Sequence, residues 1–298
     1  MTHYIGIDIG GSAIKHALLD ENGTIKETGK LPTPQNLPDF IKSLSDIQTT
    51  YSNVTTAGMA ISMPGLIDAA TGHAIHGGAL TFIQDLNVRS LIQKACKVPV
   101  QIENDGKCAA LGEHWVGNLV GVENGIALVI GTGIAGGIIV NNQLVRGHHL
   151  TAGEFSYMRT NSDSDDFQHL FAMEGSSIAL SNTYADLKGL NNDQMDGKQF
   201  FANVALQETD AVALLESYSN KLVVQIMNLQ TILDPEIITI GGGISRQTLL
   251  FEAIDRHIDR LIANFPLPLV RPNVKQSTLG NNANLIGALK NFLDKEEH

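Results

Sequence analysis

The chain has 298 residues, a formal net charge of -11 and 43% hydrophobic residues. This length exceeds the usual size of one hydrophobic core, so we expect two domains. Acidic and basic residues are interspersed, and no basic stripe is available to neutralise a nucleic-acid backbone. Nucleic acid is therefore not an expected partner. A polyphosphate is still compatible with the charge, because backbone N–H groups and a divalent cation can neutralise it.

The cysteine content and the chain start predict a cytoplasmic protein without a membrane segment. Cys96 and Cys108 are too few for a disulfide framework or an all-thiolate zinc site, which is typical of a reducing compartment. A strand pattern begins by Tyr4, without the basic and apolar segments of a signal peptide. The longest uncharged run, Gly125 to Val140, is shorter than the ~20 residues that span a bilayer.

The first part of the chain predicts an antiparallel meander followed by helices and strands. Hydrophobic alternation and turn residues predict strands at Tyr4–Asp8, Ala13–Asp20 and near Thr24–Lys30. The elements expected after this meander are, in order, a helix at Asp39–Tyr51, a strand at Thr56–Ser62, a helix at Val88–Cys96, a strand at Val98–Glu103 and a helix at Asp105–Trp115.

From Gly125 the opening pattern recurs, which we interpret as an internal repeat. Its predicted strands are Ile126–Ile130, Ala135–Val140 and Gln143–Arg146. A polar, irregular stretch is expected at Thr160–Asp166. The later elements are helices at Ser176–Ala185, Phe200–Val204 and Asp210–Ile232, the last with Asp210 as its N-cap, a strand at Ile237–Ile240 and a helix at Asn284–Phe292.

Three glycine-rich turns follow predicted strands and are suited to a nucleotide. A turn without Cβ atoms lets main-chain N–H groups approach an anion closely. Hairpin closure explains the first turn alone about equally well, and a glycine-rich helix start would explain the third. Recurrence at corresponding places favours two loops that clamp a triphosphate and a third that accepts adenosine. The residues concerned are Asp8, Gly10, Gly11, Ser12 and Lys15, then Gly131, Thr132 and Gly133, then Gly241, Gly242 and Gly243.

Three acidic residues lie near predicted helix starts. Asp105 follows Glu103-Asn104 at the end of an apolar strand, where a carboxylate can serve as a general base. An ordinary helix N-cap explains Asp105 about equally well. Glu154 and Glu174 are suited to accept hydrogen bonds from sugar hydroxyls, although each alone is more often a cap.

Taken in order, these motifs resemble the ROK family of sugar kinases and transcriptional repressors, within the actin-like fold. The resemblance covers nearly the whole chain. It rests on seven matches: Asp8 to Ser12 for the first phosphate motif, Pro64-Gly65 for the sugar turn, Asn104-Asp105 for the catalytic pair, Gly131 to Gly137 for the second phosphate loop, Gly153-Glu154 and Glu174 for the sugar site, and Gly241 to Gly243 for the adenosine glycines.

The resemblance implies an α/β, actin-like (ribonuclease H-like) fold with two similar domains and an interdomain cleft. The domains would be 1–117, completed by the C-terminal helix 284–298, and 118–283. It implies ATP and Mg²⁺ as cofactors, a homodimer, and Asp105 as the base that deprotonates the 6-OH of a hexose or β-glucoside. Asp8 would hold Mg²⁺ through water. Sugar ligands would be Gly65, Asn104, Glu154, Tyr157 and Glu174, and nucleotide ligands would be Asp8, Gly10, Gly11, Ser12, Lys15, Gly131, Thr132, Gly133, Gly242 and Gly243.

The chain departs from the family pattern at the zinc motif. Relatives commonly have Gly-Glu-x-Gly-His followed by a Cys-rich segment, whereas Tyr157 replaces the His here and residues 165–172 contain no thiol. The His residues also lack metal-site spacing, so no zinc is expected. In this respect the chain resembles zinc-less β-glucoside kinases and N-acetylmannosamine kinases of Gram-positive bacteria. One hypothesis is that Tyr157 offers an aromatic surface to a substituent on C1.

Several alternatives stay open at this point. N-acetylmannosamine kinase or glucokinase activity would use the same motifs. A sugar-responsive transcriptional regulator is disfavoured, because a strand begins by Tyr4 and leaves no room for a helix-turn-helix. An actin-like or chaperone-like ATPase is disfavoured by the acids Asp105, Glu154 and Glu174.

Overall fold

The computed structural model describes residues 2–163 and 165–296. Its contacts divide the chain into two compact units. Unit 1 comprises the residues up to Gly117, the segment Leu144–Ala152 and the residues from Asn282 onward. Unit 2 comprises Asn118–Gln143 and Gly153–Asn281. The assignment of 1–117 with 284–298, and of 118–283, to two evolutionary domains stays a prediction.

The described residues form α-helices and β-strands, with short 3-10 turns between some of them. In chain order they are β1 (His3–Ile9), β2 (Ala13–Asp20), β3 (Ile25–Pro32), α1 (Leu37–Thr50), β4 (Thr56–Met63), β5 (Leu66–Asp68), β6 (His73–Gly77), β7 (Leu80–Asn87), α2 (Val88–Cys96), β8 (Val100–Asn104), α3 (Asp105–Val116), β9 (Gly125–Ile130), β10 (Ile134–Val140), β11 (Gln143–Leu144), α4 (Phe171–Gly175), α5 (Ser177–Leu187), α6 (Gly197–Ala205), α7 (Thr209–Leu233), β12 (Ile237–Gly241), α8 (Thr248–Asn264), β13 (Val274–Gln276) and α9 (Ala283–Glu296).

The main sheet of unit 1 has the strand order β3-β2-β1-β4-β8. The first three strands are antiparallel, and β4 and β8 run parallel to β1. The carboxyl ends of the parallel strands β1 and β8 therefore lie at the same end of the sheet, and this is where Asp8 and Asn104 are located. Buried Ile5, Ile7 and Ile9 make β1 the centre of a core that includes residues of α1 and α2.

Helix α9 packs against α3 at very short range in unit 1. A Cβ placed on Gly287 would lie 1.7 Å from the carbonyl oxygen of Cys108, and one on Gly112 would lie 2.5 Å from that of Ala283. Only glycine allows two helix backbones to approach this closely. This contact brings the C-terminal helix beside the helix that begins with Asp105.

The main sheet of unit 2 has the order β11-β10-β9-β12-β13, which repeats the arrangement of the first sheet. β10 is antiparallel to β9, β12 runs parallel to β9, and β13 runs parallel to β12, as β2, β4 and β8 do around β1. The predicted internal repeat is therefore confirmed. The uncharged run from Gly125 forms β9 and β10, most of whose residues are buried.

Some elements differ from the sequence-based expectations. Helix α7 begins at Thr209, and its N-cap is Glu208, whose carboxylate accepts from the N–H of Ala211; the expected N-cap Asp210 lies inside the first turn. Strand β11 ends at Leu144, so Arg146 is not in a strand. The three-stranded sheet β5-β6-β7, helix α8 and strand β13 were not predicted. The expected irregular stretch Thr160–Asp166 includes Ser164, which lies outside the described residues.

Within the residues that the structure describes, no helix combines the length and apolar character needed to cross a bilayer.

Candidate active site

Asp105 is the first residue of α3, directly after the buried strand β8. The N-cap of the helix is Asn104, whose backbone is extended and whose side-chain oxygen accepts from the N–H of Lys107 at 3.1 Å. The alternative explanation of Asp105 as an ordinary N-cap is therefore wrong. The cap position of α3 is occupied by Asn104, and Asp105 is the first residue inside the helix.

Asn104 brings two other predicted site residues together. Its Nδ2 donates to the carbonyl oxygen of Gly65 at 3.0 Å and to Oδ1 of Asp105 at 3.1 Å. The same Oδ1 accepts from the N–H of Gly106 at 2.8 Å. Gly65 has φ +105, and a Cβ there would lie 2.0 Å from the carbonyl oxygen of His76. The turn after β4 is thus tied to the start of α3 through one amide side chain.

Asp8 lies at the end of β1, with only 6% of its surface exposed. Its register opposite Lys15 on β2 and Ser62 on β4 explains two of its partners. Lys15 Nζ is 3.1 Å from Oδ2, while Ser62 Oγ and Asn284 Nδ2 donate to Oδ1 at 3.3 and 2.9 Å. Ser62 and Asn284 were not predicted as site residues; the only signal was that Ser62 is the last residue of a predicted strand.

The hydrogen-bond donors around Asp8 bear on how this carboxylate would contact Mg²⁺. The described residues contain no group of three or more His, Cys, Asp or Glu that could hold a metal. Mg²⁺ needs no such cage, since it usually keeps several waters and takes one or two carboxylates plus substrate phosphates. The carboxylate of Asp8 already accepts from three protein groups. That donor set fits contact with the ion through water better than direct ligation.

The two predicted phosphate loops are tight turns that link antiparallel strands. The N–H of Gly10 donates to the carbonyl oxygen of Ala13, and the N–H of Gly131 donates to that of Gly133, both at 2.9 Å. Gly11, Ser12, Thr132 and Gly133 at the turn tips are exposed. The first turn does close a hairpin, as the alternative explanation holds, and the same tip is open to an anion.

The third glycine turn is not a helix start. Strand β12 ends at Gly241, and the next helix, α8, begins only at Thr248. Gly242 has φ +91, and a Cβ there would lie 2.1 Å from the carbonyl oxygen of Ile130. By contrast, a Cβ on Gly243 would meet no atom within 4 Å. Gly242 is thus required by the backbone, and Gly243 faces open space.

Glu174 is held by a cluster within unit 2. Its Oε2 is 3.1 Å from Lys221 Nζ on α7, and its Oε1 is 3.2 Å from His169 Nδ1. Burial raises the pKa of Glu174, but hydrogen bonds from Lys221, Thr160 and His169 outweigh this and lower the pKa below its ordinary value. The alternative of a cap is wrong for Glu174, because Ser176 caps the helix that follows. Sequence analysis missed His169 and Lys221.

Glu154 precedes a single 3-10 turn, Phe155–Tyr157, and Tyr157 is its last residue. Glu154 occupies the N-cap position of this turn, as the alternative of a cap holds, but its side chain makes no capping hydrogen bond to the turn. Gly153 before it has φ +83, and a Cβ there would lie 3.0 Å from the carbonyl oxygen of Gly136. Tyr157 is 56% exposed, which leaves its ring available to another molecule.

An ion pair with one buried partner adjoins Asn104-Asp105 and was not predicted. Glu103, at the end of β8, is fully buried. Its Oε2 is 2.8 Å from Nε of Arg146, and its Oε1 accepts from the N–H of Asn104 at 2.9 Å. Arg146 also reaches Oδ1 of Asn291 on α9 at 3.3 Å. No local pattern in the sequence could have joined residues 43 positions apart.

Comparisons with known proteins identify the family of the chain. The model of the ROK family matches residues 4–295. A β-glucoside kinase from Listeria monocytogenes is 30% identical over 292 residues, covering 97% of each chain. A Listeria monocytogenes structure assigned as an N-acetylmannosamine kinase has a TM-score of 0.89 at 29% identity, over 99% of this chain and 100% of that one. A ROK family protein from Streptococcus pneumoniae in complex with sucrose has the same TM-score and identity, over 99% of both chains. The chain belongs to the ROK family and has the actin-like fold of its sugar kinases.

Proposed function

We propose that the protein transfers the terminal phosphate of ATP to the 6-OH of a β-glucoside or a related hexose, with Asp105 as the general base. The coarser activity, ATP-dependent phosphorylation of a carbohydrate, follows from family membership together with curated relatives that are named sugar kinases. The finer assignment concerns the substrate class, the hydroxyl and the base.

The observation that carries the proposal is the position of Asp105. The residue opens α3, while Asn104 caps that helix and orients Oδ1 of Asp105. The carboxylate is therefore held in a defined position at the carboxyl end of a buried strand and at the N-terminus of a helix, which suits a general base. Phosphoryl transfer needs alignment and charge neutralisation more than covalent help, so one positioned base is sufficient.

The glycine turns are proposed to bind the nucleotide. The tips at Gly11–Ser12 and Thr132–Gly133 would accept phosphate oxygens, and Gly242–Gly243 would lie against adenosine. Asp8 would contact Mg²⁺ through water, with Lys15 beside it as a second positive charge. When bound, the ion would neutralise charge on the transferred phosphate.

The sugar is proposed to be held by Gly65, Asn104, Glu154 and Glu174. The ionised carboxylate of Glu174 accepts hydrogen bonds from hydroxyls, and its lowered pKa keeps it ionised well below neutral pH. The exposed ring of Tyr157 favours an acceptor that carries an apolar group on C1, because such a group can stack on it. N-acetylmannosamine and glucose are the alternative acceptors.

The test is a coupled ADP-release assay with glucose, phenyl β-glucoside, N-acetylmannosamine and N-acetylglucosamine. We expect phenyl β-glucoside to have the highest kcat/KM. Asp105→Asn should lower kcat about 10²–10⁴-fold while nucleotide binding changes little, the usual effect of losing a positioned base. Unchanged turnover in Asp105→Asn would remove that residue from the mechanism. ATP hydrolysis that is independent of every sugar would favour an ATPase instead.

A further inference from the structure

Two charged side chains flank Asn104-Asp105 in the sequence, and both reach one segment of unit 1. Glu103, just before the pair, is fully buried and joins Arg146 at 2.8 Å. Lys107, just after it, is 1% exposed and donates from Nζ to the carbonyl oxygen of Leu150 at 3.0 Å. The strand end and the first helical turn that carry the base are thus both tied to residues 146–150.

The segment itself has a defined shape. Gly147 and Leu150 have left-handed backbones, with φ of 76° and 64°. The N–H of Ala152 donates to the carbonyl oxygen of Arg146 at 3.2 Å and closes the loop. A non-glycine residue such as Leu150 adopts this conformation only where its surroundings impose it. The bond from Lys107 to Leu150 is one such constraint.

The contacts with this segment are made by charged groups, which are costly to bury. A carboxylate without solvent contact is unfavourable unless it is paired and hydrogen-bonded. Replacing a buried ion pair by hydrophobic residues of similar volume is often neutral or stabilising. The placement of charged groups at 103, 107 and 146 therefore indicates a demand for defined geometry. The chain continues from this segment directly into Gly153-Glu154, which the proposed function assigns to the sugar site.

We infer that Arg146 is a positioning residue for phosphoryl transfer, since its ion pair with Glu103 fixes the segment that leads into Glu154 relative to the strand end that carries Asp105. The inference rests on the proposed function. Lys107 makes a second tie of the same kind. Small displacements of Glu154 or Asp105 would reduce the rate of phosphoryl transfer, because the reacting atoms must be held at near-attack distance.

The test compares Arg146→Gln, Arg146→Lys, Glu103→Gln and the double variant Glu103→Gln/Arg146→Gln. Arg271→Gln is the matched control, because Arg271 pairs with Asp255 and Asp259 on α8 through exposed side chains. Folded fractions are measured by circular dichroism, and kcat and KM are measured with the best acceptor of the panel above. A role in stability alone would change the folded fraction but not kcat per folded molecule.

We expect Arg146→Gln to lower kcat by about tenfold or more with KM for ATP changed less than about twofold, and Arg146→Lys to restore most of the loss. The double variant should lose no more than the worse single variant, because both changes break one link. Equal kcat for Arg146→Gln and Arg271→Gln, or additive losses in the double variant, would overturn the inference while the proposed function stands. An unmodified chain that phosphorylates no acceptor would overturn the proposed function and this role together. If Arg146→Gln does not fold, Glu103→Gln, which removes the charge from the same pair, is expected to show the same loss of kcat per folded molecule, and an unchanged kcat in that variant would overturn the inference.

Discussion

Asn104 Nδ2 donates to the carbonyl oxygen of Gly65 at 3.0 Å, across 39 positions of the sequence. The bond joins the turn after β4 to the N-cap of α3. Because the same amide group also contacts Asp105, the geometry of the proposed base depends on the conformation of the Gly65 turn.

Gly65→Ala is expected to destabilise the fold and to impair the acceptor reaction. The new Cβ would lie 2.0 Å from the carbonyl oxygen of His76 at a φ of +105. Gly121→Ala is the matched control, because Gly121 also has a positive φ, +74, but its Cβ would meet no atom within 4 Å. We expect the control to lose about 1–2 kcal/mol of unfolding free energy and Gly65→Ala to lose more. Urea titration measures both, and equal losses would contradict the steric argument.

Gly242→Ala is expected to weaken ATP binding and to destabilise the fold. Gly243→Ala should destabilise the fold less than Gly242→Ala does. A Cβ on Gly242 would lie 2.1 Å from the carbonyl oxygen of Ile130, so the turn must shift. Calorimetric titration with a non-hydrolysable ATP analogue gives the affinities, and thermal melting gives the stabilities. Unchanged affinity in a folded Gly242→Ala variant would exclude this turn from the nucleotide site.

Tyr157→Ala tests the aromatic contact with the group on C1. Loss of a stacking partner should raise KM for phenyl β-glucoside about three- to tenfold, the scale of one aromatic pair, and leave KM for glucose nearly unchanged. Phe167→Ala is a suitable control, since Phe167 is similarly exposed and has no assigned role. An equal rise in KM for glucose and for the glucoside would contradict a specific contact.

Lys221→Met is expected to make the reaction more sensitive to acid. Removing the hydrogen bond from Lys221 raises the pKa of Glu174, so a larger fraction of this carboxyl is protonated at pH 5. A protonated Glu174 accepts hydroxyl hydrogen bonds less well, and KM for the acceptor should rise on acidification more steeply than in the unmodified chain. Lys42→Met, which removes an exposed pair with Asp46, is the control. Parallel pH profiles would argue against Glu174 as a sugar ligand.

Asp20 should contribute to stability in a pH-dependent way. Burial raises its pKa, but hydrogen bonds from Lys26 and from the N–H groups of Thr24 and Asn22 prevail and lower the pKa from 3.8 to about 2. Since the folded-state pKa is depressed, the contribution is complete above pH 4 and is lost as the pH falls towards 2. Asp20→Asn should therefore lower Tm at pH 7, and the difference from the unmodified chain should narrow between pH 4 and pH 2. A constant difference would contradict this linkage.

Local patterns predicted much of the fold. Turn glycines and hydrophobic alternation located the strands of both main sheets except β13, and the recurrence after Gly125 indicated their common topology. The strands β5 to β7 were missed because their segments alternate weakly and contain polar residues such as His73 and Gln84, so packing against α2 and β8 decides their state. Helix α8 was missed although its apolar positions are helically spaced, because its start lacks a capping signal: its N-cap, Gln247, makes no side-chain capping bond.

The sequence by itself determined the order of the motifs, the glycines that the turns require and the acid at the start of α3, because these depend on neighbouring residues. Only the tertiary structure decided that Asn104 rather than Asp105 caps that helix, that Ser62 and Asn284 surround Asp8, and that Glu103 pairs with Arg146. Strand register and helix packing create these contacts between residues far apart in the chain. Such contacts leave no periodic signal in the sequence, because each of the two partners is a single polar residue in its own segment.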